Sequence, residues 1–378
     1  MSSRDSIQLI EAADRQIASL RTQGKDYSFN ELLNMYVEKE LVINPEFQRL
    51  FRWSEAKESQ FIESLILELP LPPIFVIEID DGKYELIDGL QRFSSYMHFR
   101  GQLESIHRKI NIGDYLTLED CDIVKELNGL NYMQLPVAFQ IRLKRHTVRA
   151  EIIRNESDKR LRYHMFKRLN TGGEPLSEQE IRNCTIRLLD NIFNQFVIDL
   201  SATDDFVECI SGVGQDRLDE KYDQELVLRF FTFKNWGSRY RKDVGSFLTQ
   251  YLESVTDKEE SNEKFNYEEE RSVFLKTFRV LRNALASQAF AQVVFRKSSE
   301  GTYPFTVYQF ESFSLGIQEF LGSLDPDDTA RMRLLGECCW EIKRDAVFQK
   351  ITTGGGKNTK NEFDSRVNFV RNHLRNRL

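Results

Sequence analysis

Two Gln-Arg pairs and one aspartate carry the chemistry most directly readable in this chain. Gln48-Arg49 follows Pro45-Glu46-Phe47, and Asp88-Gly89-Leu90-Gln91-Arg92 lies further on. An arginine presents a planar fork of donors that meets phosphate oxygens two at a time, so Arg49 and Arg92 are candidate phosphate ligands. Gln48 and Gln91 can orient a water or a sugar hydroxyl. Asp88 can hold Mg²⁺ through water or accept a proton as a base. If Asp88 caps a helix opening near Leu90, the helix amides and dipole favour an anion beside Arg92. Asp-Gly is also a common turn and Gln-Arg a common surface pair. Two such pairs around one aspartate make the stronger case.

The elements that must hold these residues follow from spacing. Ile7, Ile10, Ile17 and Leu20 suit one face of a helix over 6–20, and Phe29, Leu32, Leu33 and Tyr36 a second, with Ser28 as its cap. Leu41-Val42-Ile43 is a short apolar run stopped at Asn44-Pro45. Ser54 is placed to cap a helix from Glu55 to Glu68, which Pro70, Pro72 and Pro73 end. Ile74–Ile79 and Lys83–Ile87 predict a hairpin around Asp80-Asp81-Gly82, and Gln91–Phe99 a helix. The order is strand, helix, hairpin, helix, with polar residues at each strand end, where α/β layers commonly hold ligands.

From Val137 to Ile153 partial alternation suggests strand, and a helix through Leu161, Met165 and Phe166 stops at Asn170-Thr171-Gly172-Gly173. Ser177 and Glu180 form a capping box for the next helix. The rest reads as mostly helical. The fold class expected is α+β: a small mixed sheet with helices, then a mostly helical C-terminal region. The expected divisions are N-terminal helices over 1–40, a sheet-bearing domain with a basic segment over 41–190, and a helical domain over 191–378.

The 378 residues carry a net charge of −7, distributed unevenly. From Arg142 to Arg168 ten Lys/Arg face three acids, whereas from Tyr251 to Glu270 eight acids face two lysines. Such segregation directs a polyanion to one face, making Arg142, Lys144, Arg145 and Arg149 candidate DNA contacts. Five cysteines without a Cys-x-x-Cys pair suggest neither a disulfide framework nor a zinc site. Thr353–Thr359 fails as a phosphate-binding P-loop: Ile351 stands where the first Gly belongs and Asn358 where Ser/Thr belongs. No apolar run is long enough to span a membrane, and no secretory core is present at the N-terminus, so a cytoplasmic location is expected.

Three motifs in order resemble the GmrSD-type family of bacterial proteins: Pro45–Arg49 with Trp53, Asp88–Arg92, and Phe166–Gly173 leading through Ser177 to Arg182. The resemblance implies an N-terminal domain like those of ParB and sulfiredoxin, and a role in defence against phage and other foreign DNA. It ties the Asp-Gly-Gln-Gln-Arg motif to nucleotide hydrolysis, with an NTP as ligand or substrate and Mg²⁺. On that pattern Asp88, Gln91 and Arg92 are the catalytic candidates, with Asp88 also the metal ligand. Gln48, Arg49, Arg168, Asn170 and Thr171 are candidates for binding nucleotide or phosphate. Leu90 replaces the family's first Gln and removes one amide. Many relatives add a His-Asn-His nuclease, but only His373 lies beyond His164 here. The expectation is a member without that nuclease.

Three readings stay open: an NTP-binding and NTP-hydrolysing component of a DNA-directed defence system, a metal-dependent DNA endonuclease using the same pocket, and a non-enzymatic module that binds DNA or a partner. A partner protein from a defence operon and a homo-oligomer are compatible with each.

Overall fold

In a computed structural model, residues 10, 13–14, 21–44, 51–79, 82–158, 161, 163–165, 168, 177–187, 189–256, 265–296 and 299–378 are described, except for the side chains of 294–304. The chain divides into two compact units, Met1–Leu176 and Ser177–Leu378.

The first unit is built on a mixed five-stranded sheet. In chain order its elements are β1 (Thr22–Ser28), α1 (Phe29–Val37), β2 (Leu41–Val42), α2 (Glu55–Ile66), β3 (Ile74–Glu78), β4 (Tyr84–Asp88), α3 (Leu90–Phe99), α4 (Val137–Arg145) and β5 (Thr147–Ile153). The strand order is β1-β5-β3-β4-β2. β1 runs antiparallel to β5 and β3 antiparallel to β4, while β5–β3 and β4–β2 are parallel.

Local chemistry accounts for the helix starts. The Ser28 hydroxyl accepts from the Glu31 amide at 3.1 Å, and the Ser54 hydroxyl from the Lys57 amide at 3.3 Å. Each cap satisfies one of the donors a helix start leaves open. Phe29, Ile62, Leu65, Leu86, Ile87, Tyr96 and Met97 are buried and form the core around the sheet. Phe29 meets Phe61 edge-on at 5.8 Å, a favoured ring arrangement.

The fold departs from the sequence reading in four places. Thr22–Ser28, inside a segment expected to be helical, is an edge strand paired over its whole length with β5. Its polar composition, Thr-Gln-Gly-Lys-Asp-Tyr-Ser, hides the strand, because its backbone pairing rather than an apolar face places it. Val137–Arg145 is helix rather than strand. Only Leu143 is buried there, so little apolar periodicity marks it. In the second unit Ala291–Arg296 and Ser299–Phe305 pair as a hairpin within a stretch that reads as helical. Finally, Gly89 rather than Asp88 is the N-cap of α3; Asp88 is the last residue of β4. The helix expected over 6–20 falls mostly outside the described residues.

The second unit comprises α5 (Glu178–Ile186), α6 (Ile192–Ser201), α7 (Asp204–Cys209), α8 (Gln215–Asp219), α9 (Tyr222–Trp236), α10 (Val244–Thr256), α11 (Tyr267–Leu285), β6 (Ala291–Arg296), β7 (Ser299–Phe305), α12 (Val307–Gly316), α13 (Thr329–Arg344), α14 (Ala346–Thr352) and α15 (Lys360–Arg375). The Ser177 capping box forms as expected: its hydroxyl accepts from the Glu180 amide at 3.2 Å, and Glu180 accepts from the Ser177 amide at 2.9 Å. All five cysteines are free and buried. Arg182, Glu225, Arg229, Glu311 and Arg366 form a buried chain of alternating charge across α5, α9, α12 and α15.

Lys343 is fully buried on α13 and has no carboxylate partner among the described residues. Its ammonium donates to the carbonyls of Gln288 at 2.5 Å, Ala289 at 3.0 Å and Ala291 at 3.0 Å. These acceptors offset part of the cost of burying the charge. Burial still pushes Lys343 down to about 7 from 10.5. Between those values the unfolded chain binds more protons than the folded one, so stability rises with pH across that window. Urea titrations of the second unit between pH 7 and pH 10 are expected to show this rise, and Lys343→Met to flatten it. Equal slopes for both proteins would contradict the linkage.

Candidate functional site

The second motif turns from β4 into α3. Gly89 adopts φ +101°, a left-handed conformation open to glycine at little cost. A Cβ at Gly89 would lie 2.5 Å from Ile74 Cγ2, so the position needs glycine for space as well. The turn leaves Asp88 at the strand end with its side chain about one-third exposed.

Asp88 Oδ2 accepts from Arg92 Nη2 at 3.0 Å, one helical turn away. Burial raises the Asp88 carboxyl pKa, opposed by Arg92 and the Gly89 amide. Burial likewise lowers Arg92, opposed by Asp88. Arg92 also donates to the carbonyls of Pro72 and, at 3.1 Å, Pro73. It thereby braces the proline segment that enters β3.

Gln91 bonds in another direction. Its Oε1 accepts from the backbone amides of Arg52 at 3.0 Å and Trp53 at 3.2 Å. One side chain of the second motif therefore grips the segment that follows Gln48-Arg49. Trp53 then packs edge-on against Phe61 of α2 at 5.9 Å. Gln48 and Arg49 themselves lie outside the described residues, as do Asn170 and Thr171 of the third motif. Arg168 is described and exposed. Asp88, Gln91 and Arg92 are thus brought together around one turn.

A neighbouring cluster carries no sequence signal. Glu58, fully buried on α2, accepts from Arg108 Nη1 at 2.5 Å, and its other oxygen lies 2.9 Å from His98 Nδ1. The Arg108 guanidinium sits 4.6 Å from the centroid of the Phe51 ring, a cation–π contact on the residue preceding Arg52. Arg108 stands in a loop without motif or periodicity, so only the tertiary structure reveals its place beside the first motif's segment.

The basic candidates separate by their partners. Arg142, Lys144 and Arg145 are exposed on α4. None forms an ion pair among the described residues, and Arg142 lies 5.6 Å from the Phe139 ring centroid. Arg149 on β5 is engaged by Glu151 at 3.0 Å and Asp26 at 3.7 Å. Two carboxylates already meet its charge.

Among the described residues no group of three or more His, Cys, Asp or Glu side chains converges as a metal cage. The turn offers Asp88 as its carboxylate. That donor set suits Mg²⁺ carried in by a phosphate ligand, since Mg²⁺ takes one or two protein carboxylates, keeps waters and shares phosphate oxygens.

Residues 29–187 match the family model for the GmrSD restriction endonuclease, N-terminal domain. This segment is similar to the GmrSD N-terminal domain. The match opens on the first residue of α1 and closes just past α5, enclosing the Gln-Arg pairs and β2–β5. The resemblance read from three motifs is thus borne out over that span. Neither the comparison with curated proteins nor that with solved structures yields a match. Among the described residues, no helix is long and apolar enough to cross a membrane.

Proposed function

We propose that the GmrSD domain binds a Mg²⁺–NTP complex and hydrolyses it, as the nucleotide-dependent part of a DNA-directed defence system. The reading rests on one observation above the others: the Gln91 amide accepts from the backbone of Arg52 and Trp53, joining the second motif to the segment carrying the first. Gln48 and Arg49 are proposed to meet the phosphate oxygens of that ligand. The carboxylate would hold Mg²⁺, directly or through water, or take a proton from the attacking water. Arg168, Asn170 and Thr171 are proposed to close over the nucleotide. The ParB/sulfiredoxin likeness of the sheet and a partner protein or second copy of the chain belong to the same reading.

Endonuclease chemistry at this turn is the weaker alternative, because nucleases commonly gather several carboxylates around their metals and the motif supplies Asp88. A regulatory module that binds without turnover is separated by measurement. The test is calorimetric binding of each NTP to the full chain with Mg²⁺, with and without DNA, alongside phosphate release. Binding with release supports the proposal, and binding alone supports the module. Absence of both removes the nucleotide reading.

For DNA, the three exposed cations of α4 are expected to contact backbone phosphates. Replacing Arg142, Lys144 and Arg145 with alanine should weaken binding uniformly across sequences and reduce the slope of log affinity against log salt by about 3. Fluorescence anisotropy at several salt concentrations measures that slope. An unchanged slope would remove α4 from the interface.

A further inference from the structure

Leu143 is the one buried residue of α4 and marks the helix's inward side, with Phe139 and Gln140 half-buried beside it. Successive residues stand about 100° apart around a helix, so Val137, Ala138 and Ile141 share the outward side. All three are exposed, Val137 at 70% and Ile141 at 42%. Val137, Ile141 and Arg145 form a row at i, i+4 and i+8, with Arg142 on one flank and Lys144 on the other. A surface helix normally turns its apolar row inward. This one presents it to solvent, between cations that have no ion-pair partner among the described residues.

The row is fixed before any partner arrives. Gln140 Nε2 donates to the carbonyls of Tyr132 at 3.2 Å and Leu135 at 3.0 Å, holding the turn that enters α4. The His146 carbonyl, just past the helix end, accepts from the Phe29 amide at 3.0 Å. A helix tied at both ends loses little freedom on binding. Gln140 is also the one amide side chain in α4, and those two bonds engage its donors. Apart from its cations, the helix therefore meets a partner through apolar contact.

We infer that α4 reads DNA through the major groove, with Val137, Ala138 and Ile141 against the C5-methyl groups of thymine. The inference rests on the DNA contact proposed for α4 and names what that contact recognises. A helix with its side chains is about 10–12 Å across and enters a major groove about 12 Å wide. Thymine presents O4 and its methyl there, and apolar side chains meet the methyl. Phosphates border the groove on both sides, and Arg142 and Lys144 flank the row on both sides. A second copy of the chain fits this face worse, since two-fold pairing of α4 would set its cations against themselves.

The test is fluorescence anisotropy of the full chain on two A·T-rich duplexes of one sequence, one with thymine and one with deoxyuridine in its place, which lacks only the methyl. The thymine duplex is expected to bind at least about fourfold more tightly, the effect of one covered methyl. Val137→Ala with Ile141→Ala should bring the ratio to about one and leave the salt slope as in the parent. Both side chains are exposed and alanine is the better helix former, so this variant should fold. Equal binding of the two duplexes by the parent, with a salt slope that alanine at Arg142, Lys144 and Arg145 reduces, would overturn the methyl reading and leave the DNA contact standing. A ratio that persists in the double variant would assign the preference to DNA shape and overturn it as well. Failure to bind either duplex, or a slope that the triple alanine variant leaves unchanged, would remove the DNA contact and the inference with it. Self-association of the parent that the double variant abolishes would place a second copy on this face instead.

Discussion

Asp88→Asn is expected to abolish most Mg²⁺-dependent NTP turnover, by about two to four orders of magnitude, while the protein stays folded. The fold should tolerate the change for identifiable reasons. Asparagine fills nearly the same space. The Asp88–Arg92 pair is partly exposed, and such pairs contribute roughly 0–1 kcal/mol. Arg92 retains the Pro72 and Pro73 carbonyls as acceptors. What the variant loses is the negative charge facing the proposed phosphate–metal complex. The raised Asp88 pKa adds a direction to the pH profile: turnover should fall as acidification protonates the carboxylate, beginning above the ordinary aspartate range. Phosphate release by the purified variant, with circular dichroism and urea unfolding as controls, measures the effect. Turnover within about tenfold of the parent would place the reacting centre elsewhere.

The motif's remaining side chains help to explain why Asp88 is singled out. Gln91 and Arg92 spend hydrogen bonds on backbone groups, one holding Arg52-Trp53 and the other Pro72-Pro73. They act as braces that bring two loops to the β4–α3 turn. Sequence reasoning gave both residues direct chemical roles, because side-chain type and spacing reveal donor capacity but not its target. These bonds build the place where Asp88 stands.

Features encoded by local chemistry were the legible ones. Ser54 and Ser177 announced their helices because caps act within three residues, and the β3–β4 hairpin followed from β-branched runs either side of a turn. The order of motifs pointed to the family whose model matches residues 29–187. Features decided by partners distant in sequence stayed hidden. Thr22–Ser28 becomes a strand because β5 offers an edge, and Arg108 gains its place because Glu58 is buried beneath it. Neither relation leaves a period or motif in the chain. The exposed helix α4 was missed for the opposite reason, as its single buried residue imposes almost no apolar pattern.

Glu311→Gln is expected to destabilise the second unit by about 3–5 kcal/mol, the range for breaking a buried ion pair by removing one partner. Glu311 is 1% exposed and bridges two arginines, Arg229 at 9% and Arg366 at 2% exposure. Arg229 Nη1 donates to Glu311 Oε1 at 2.7 Å, while Arg366 reaches Oε2 through both Nη2 and, at 3.1 Å, Nε. Removing the glutamate charge leaves both cations desolvated, with Glu225 the remaining carboxylate on Arg229 at 3.0 Å. A matched replacement tests the cause. Changing Arg229 and Arg366 to Met together with Glu311→Leu removes the charges along with their desolvation cost, and such swaps are often neutral or stabilising elsewhere. Here the Lys357 carbonyl loses its 2.8 Å bond from Arg366 and Glu225 keeps Arg182 but loses Arg229, so recovery should be incomplete, yet the triple variant should remain more stable than Glu311→Gln alone. Urea unfolding of the three proteins decides the matter. A loss below about 1 kcal/mol for Glu311→Gln would mean that water or relaxation meets the freed charges and that this network does not hold α9, α12 and α15 together.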